Sequence, residues 1–399
     1  MDRIVFAMAR LLRGKYSITI KESEGKMTAE MGVLFVNITW SIAIQVIFLG
    51  FVGGMLSGFI GSGGAFFMTP GMMNIGVMGP VAVASNITHK FGKAMVGSKK
   101  HGELGNVDKK LSVIMLITAA IGIRFAVWLM KILTGGGEGG HGVDKGAGVN
   151  LYISLVFVIV LSLVSLSMLR DILKSRKGEE AGPSTKIIQF LDKFRLHPLI
   201  YFPVADVNVS LWVVLFCGFA TGYFAGTIGV GGFIGVPAMI YVFGVPAAVA
   251  AGSELYLAMF MGAFGALSYA FEGLVDIRMT LLLFGGSLFG VYIGVYGTKV
   301  VKEIFIRLVT AVIIILCVIS RAIAVPVYLQ QLGFIQFDPA YNQYLNSASK
   351  AMLYLSGISG GALILFFVLR AYFQRKKIQA SLTTRVPEGV VKQFTAASA

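Results

Sequence analysis

Lys90 and Lys93 stand three residues apart, and Asn86 precedes Lys90 by four, so on a helix the three share one face. Two positive charges and an amide on one face are donors suited to an oxyanion. The setting gives them weight, because no Asp, Glu, Lys or Arg occurs from Met31 to His89. A charge held at membrane depth is expensive and marks a functional site by default. Two readings stand side by side. Either the segment 81–104 crosses the membrane and holds Asn86, Thr88, His89, Lys90 and Lys93 inside it, or it ends early and the lysines are cytoplasmic. Glu254 closes a second uncharged stretch, which begins at Val207. It could couple proton movement, neutralise Lys90 or Lys93, or form a purely structural ion pair.

Two glycine clusters offer a different chemistry. Gly61, Gly63 and Gly64, and again Gly229, Gly231 and Gly232, each precede a short apolar segment carrying a proline, Pro70 or Pro237. A helix that starts after such a cluster presents free N–H groups and a positive dipole end. These can hold an anion without any side-chain charge. Glycine also lets the backbone approach a ligand closely. The outer pairs, Gly54 with Gly58 and Gly222 with Gly226, fit small-xxx-small helix packing instead. The inner clusters are read as substrate-binding.

The elements that position these residues must be membrane helices. The chain has 399 residues, 56% hydrophobic and 13% charged, with a mean hydropathy of +0.81. A helical span needs about 20 apolar residues, so each uncharged block holds more than one. Helical or half-helical segments are expected near 33–60, 65–79, 81–104, 111–133, 149–170, 209–228, 233–245, 247–271, 279–298, 304–328 and 350–369. The fold class is therefore all-α and polytopic, with about 9–11 transmembrane or half-spanning helices. The segments 65–79 and 233–245 are too short to span comfortably and read as half-helices.

The net charge of +15 sits mostly in tails and loops beside apolar runs. That is the positive-inside pattern, with contact to anionic membrane lipid, and not a nucleic-acid surface. The parts are a basic N-terminal extension (1–32), a first transmembrane unit (33–170), a cytoplasmic basic linker (171–208), a second unit (209–370) and a basic tail (371–399). Within the linker, Lys186–Arg195 reads as a short interfacial helix. Residues 134–148 hold eight glycines and read as an external loop. Counting spans from a cytoplasmic linker puts the N-terminus outside, against its basic charge. Arg124 and Arg321 lie in apolar surroundings and are expected to snorkel to the headgroups. Asp108 and Asp276 begin helices and read as N-caps.

The two units repeat each other. Gly54, Gly58, Gly61, Gly63 and Gly64 match Gly222, Gly226, Gly229, Gly231 and Gly232 at a constant offset of 168 residues. Gly105-Asn106-Val107-Asp108 matches Gly273-Leu274-Val275-Asp276 at the same offset, and Ser85 matches Ser253, so that Asn86 corresponds to Glu254. Internal repeats with broken helices are a transporter pattern, with the substrate where the two halves meet. The span count makes the repeats inverted.

The pattern GxxxGxxGxGG before a proline-containing short segment, occurring twice, resembles the TauE/SafE family of membrane proteins. So does the Gly-x-Val-Asp after the third segment of each half. The resemblance covers about 41–133 and 210–300. It implies a secondary transporter, in the cell (inner) membrane, exporting sulfite, sulfate, a sulfonate or a related small sulfur anion. This chain departs from the pattern in its basic N-terminal extension, its glycine-rich insert and its unusually polar third segment. The expected substrate-binding residues are Gly61, Gly63, Gly64, Ser85, Asn86, Lys90, Lys93, Gly229, Gly231, Gly232, Ser253 and Glu254. A transporter of another small solute coupled to cations or protons through Glu254 is the alternative, and a membrane anchor for partner proteins is a third reading. Partners are the anion and lipid, with a homo-oligomer left open. No metal-ligand spacing, cofactor fingerprint or nucleophile–base pair is present, so no enzyme is expected.

Overall fold

The computed structural model describes residues 35–60, 64–134, 146–176, 197–229, 231–301 and 303–383. Gly61 and Gly63, the interfacial helix expected at Lys186–Arg195, most of the glycine-rich insert and the whole N-terminal extension (1–32) lie outside the described residues. All the helices belong to one compact unit, Thr39–Ala399.

The first half holds α1 (Trp40–Ile60), α2 (Ala65–Asn74), α3 (Gly79–Glu103), α4 (Lys109–Leu133) and α5 (Ala147–Arg176). The second half holds α6 (Leu211–Ile228), α7 (Gly232–Pro237), which continues as a π-helical turn (Ala238–Val242), α8 (Ala247–Phe271) and α9 (Ile277–Val300). Two longer helices follow, α10 (Glu303–Gln331) and α11 (Ala340–Thr383). Among the described residues, eight helices are long and apolar enough to cross a membrane. The chain is a polytopic all-α membrane protein. The ninth long helix, α3, fails that test of composition because of its lysines and histidines, not its length of 25 residues.

The linker ends in an element that the hydropathy pattern does not reveal. Leu199–Phe202 (β1) pairs antiparallel with Val207–Ser210 (β2), and the turn uses Asp206 at φ 51°. Asp108 explains where this hairpin sits. One carboxylate oxygen caps α4 by accepting from Leu111 N at 3.0 Å. The other accepts from Val204 N at 3.1 Å and Ala205 N at 3.2 Å, both in the turn. Asp276 caps α9 in the same way and also binds the guanidinium of its neighbour Arg278.

Small residues bring the helices together. A methyl on Gly54 would strike the backbone of Ser287, and one on Gly222 would strike the backbone of Ala119. Both partners of this contact are shifted by 168 residues, so each half lends its first helix to the other half's fourth. Association within a membrane depends on such close backbone approach, because lipid is as apolar as the helices. The outer glycines are thus packing residues, as their spacing suggests. Further rungs fix helix direction. Gly50, Gly54 and Gly58 meet Leu283, Ser287 and Val291, so α1 and α9 run parallel. Gly218, Gly222 and Gly226 meet Met115, Ala119 and Ile123, so α6 and α4 also run parallel. Gly262 meets Phe91 and Gly265 meets Ile87, so α3 and α8 run antiparallel. Gly53 meets Met68 and Gly71 meets Leu49, which makes α2 a reversal against α1.

The two arginines do not snorkel freely. Arg124 and Lys131 on α4 share Glu272 at 3.3 and 2.7 Å, which holds them at the helix surface. Arg321 is only 1% exposed and points into the protein, where hydroxyls and not headgroups receive it.

Candidate substrate site between the repeats

The half-helices α2 and α7 meet at their first turns. Phe66 and Phe233, both second residues of their helices, stack edge to face with centroids 4.9 Å apart. Neither helix has a side-chain cap. At about 1.5 Å per residue, the ten residues of α2 reach roughly half a bilayer. Gly64 serves as the N-cap of α2, and its missing side chain lets it lie against the carbonyl of Gly53. Gly229 ends α6 in the left-handed region at φ 77°, which turns the chain toward α7. Gly231 precedes α7 and packs against Ala225, and Gly232 is its first residue.

Asn86 is fully buried and binds the first half-helix directly. Its amide donates to Ala65 O at 3.0 Å and to Thr69 Oγ1 at 2.8 Å. Thr69 in turn donates to Ile228 O at 3.2 Å, across the boundary between the halves. A methyl on Gly229 would come 3.0 Å from the Asn86 amide nitrogen, so this left-handed glycine stands beside the same cluster. Thr69 has no mark in the sequence that separates it from any other membrane threonine.

Lys90 lies one turn further along α3, 6% exposed, and Glu254 on α8 is 0% exposed. Lys90 Nζ stands 3.7 Å from Glu254 Oε1. That is an ion pair across the two repeats, longer than a hydrogen bond, and neither carboxylate oxygen has a hydrogen-bond donor. Glu254 faces the second half-helix as Asn86 faces the first: a methyl on Gly235 of α7 would strike its carboxylate. Thr221 adjoins the same glycine, and its hydroxyl is buried without a partner. Lys93 is half-buried and makes no ion pair among the described residues.

Ser85 and Ser253 are engaged elsewhere. Ser253 Oγ accepts from Asp108 N at 2.8 Å, while Ser85 Oγ donates to Asp276 O at 3.4 Å. Each serine therefore reaches the capping aspartate of the opposite half, fastening the repeats together. His89 Nε2 is joined to Ser287 Oγ at 2.7 Å, which anchors α3 to α9.

The result is a cluster of buried polar side chains packed against the two half-helices. It contains one buried cation, one buried carboxylate, and the unpaired atoms Asn86 Oδ1 and Thr221 Oγ1. Buried polar atoms without partners are uncommon, and such places hold water or a ligand. Among the described residues no group of His, Cys, Asp and Glu is arranged to hold a metal ion.

The sequence profile described as sulfite exporter TauE/SafE matches residues 46–321 of the chain. Two curated proteins of Bacillus subtilis (strain 168) are similar to it. The one named probable membrane transporter protein YunE is 22% identical over 287 residues, covering 68% of this chain and 94% of that protein. The one named probable membrane transporter protein YjnA is 23% identical over 254 residues, covering 63% and 89%. No solved structure matches the chain.

Proposed function

Because the chain belongs to the sulfite exporter TauE/SafE family and is a multi-pass membrane transporter, we propose that it carries a small sulfur-containing oxyanion, such as sulfite, sulfate or a sulfonate, out of the cell. The observation that supports this most is the Lys90–Glu254 pair, which places a buried cation between the two half-helices. A buried charge is costly in a membrane protein unless function requires it. In this reading the oxyanion takes Lys90 as its counter-charge, Lys93 adds positive potential, and the uncapped first turn of α2 adds backbone donors. Outward transport rests on the family's description alone.

The same reading makes the repeats inverted. The support is directional: α1, α3 and α9 run one way and α4, α6 and α8 the other. Each of α1, α3 and α4 is then opposite to its counterpart α6, α8 or α9. Such repeats let one half rock against the other around a fixed site.

Glu254 favours a second reading, in which the protein couples a solute to protons or another cation. A fully buried carboxylate with no hydrogen-bond donor is poised to accept a proton. The two readings are separated by flux in liposomes holding only this protein, preloaded in turn with labelled sulfite, sulfate, sulfoacetate and taurine. Saturable release of one anion, lost in Lys90→Ala, is the expected result. Release of none, or release that survives Lys90→Ala but fails in Glu254→Gln, would transfer the site to the second reading.

A further inference from the structure

Arg321 is among the largest fully buried side chains of the protein, yet it has no carboxylate partner among the described residues. A guanidinium stays charged at any physiological pH, so this charge cannot be removed by losing a proton. Its contacts are weak. One terminal nitrogen lies 3.4 Å from Ser349 Oγ, the other lies 3.8 Å from Met73 Sδ, and Nε has no partner at all.

The surroundings are polar but uncharged. Asn74, at the end of α2, donates to Ser320 Oγ and to Ser349 O at 3.2 and 3.3 Å. The end of α2 could in principle supply negative dipole. The carbonyls of Gly71, Met72 and Met73 accept from Ile75, Gly76 and Val77, and none is bonded to Arg321 Nε. A buried charge without a counter-charge is among the most expensive features a protein can contain. No described residue supplies Arg321 with a carboxylate counter-charge.

We propose that Arg321, with Ser349 and the last turn of α2, binds a small inorganic anion between α2, α10 and α11. The chemistry required is a compact negative charge that accepts from Nε, which both a halide and an oxyanion provide. The site is distinct from Lys90 and does not depend on what is transported there.

The test is thermal stability of the purified full chain in gluconate, titrated with chloride in the unaltered protein and with sulfite in the Lys90→Ala variant, where the proposed transport site is removed. Saturable stabilisation is expected, because a ligand that prefers the folded state raises the melting temperature. It should be lost in Arg321→Gln and kept in Lys90→Ala. A response to chloride identifies a resident halide, and a response to sulfite alone identifies a second oxyanion subsite. Stabilisation that survives Arg321→Gln, or that disappears only in Lys90→Ala, would overturn the proposal. Should Arg321→Gln fail to fold, crystals of the unaltered protein grown in bromide decide the matter. An anomalous peak beside Arg321 Nε is expected there or in crystals grown in selenite, an oxyanion surrogate, and its absence from both would refute the site.

Discussion

Lys90 Nζ and Glu254 Oε1 face each other at 3.7 Å across the two repeats, and Glu254 occupies the place that Asn86 occupies in the other half. The pseudo-symmetric frame therefore holds an asymmetric pair. Where the first half puts an amide against its half-helix, the second puts a carboxylate. Only that carboxylate has a lysine to answer it. If Lys90 receives the anion as proposed, the anion must compete with Glu254 for it, which makes the step an ion-pair exchange.

Breaking this pair should separate stability from transport. Lys90→Ala leaves a buried carboxylate without its counter-charge, which costs about 3–5 kcal/mol in comparable cases. Adding Glu254→Gln removes the stranded charge and should restore much of the melting temperature. Transport should stay lost in the double variant, since no buried cation remains. Recovery of flux together with stability would show that the pair is only structural.

Gly229 can be tested against a control with the same backbone strain. Gly229 and Gly244 have φ of 77° and 76°, and alanine at either costs roughly 1–2 kcal/mol for a left-handed non-glycine residue. Around Gly244 a methyl meets nothing within 4 Å, whereas at Gly229 it meets the Asn86 amide at 3.0 Å. Both alanine variants should melt lower by similar amounts. Gly229→Ala alone should raise the half-saturating anion concentration, measured as concentration-dependent flux. Equal kinetics in the two variants would remove Gly229 from the site.

The packing glycines give a prediction about the repeat itself. Gly54→Ala and Gly222→Ala each push a methyl into backbone of the opposite half, where side-chain rotation cannot relieve it. Overpacking of this kind costs about 1–3 kcal/mol. The two variants should lose comparable stability in detergent, and Gly285→Ala, which meets nothing within 4 Å, should lose much less.

Much of this architecture was legible because it depends on local pattern. The glycine spacing marks Gly54, Gly58, Gly222 and Gly226 as helix-packing residues and the offset of 168 marks the repeat, though not that each half packs its first helix against the other half. The polarity of 81–104 likewise marks α3, a helix that runs on to Glu103 and buries Asn86 and Lys90 within the protein. What was not legible depends on partners far along the chain. Thr69 matters through Ile228, His89 through Ser287, and Gly235 through Glu254, and none of these pairings leaves a spacing to read. Arg321 shows the limit of a hydropathy argument. An arginine in an apolar run looks the same whether it turns outward to headgroups or inward to Ser349.

Inversion of the repeats can be read from labelling at two equivalent positions. Lys109 and Ile277 open α4 and α9, are both exposed, and differ by 168 residues. The native Cys217 and Cys317 are buried and free, so they should react little with a membrane-impermeant maleimide. In intact cells Ile277→Cys should label from outside, and Lys109→Cys should label only after the membrane is opened. That follows from α3 and α8 running antiparallel, which puts the 104–108 and 272–276 turns on opposite faces. By the positive-inside rule, the basic residues Lys99, Lys109 and Lys110 are expected to put the first turn in the cytoplasm. Labelling of both positions from one side would mean that the repeats are parallel. It would also rule out a rocking mechanism about an axis in the membrane plane.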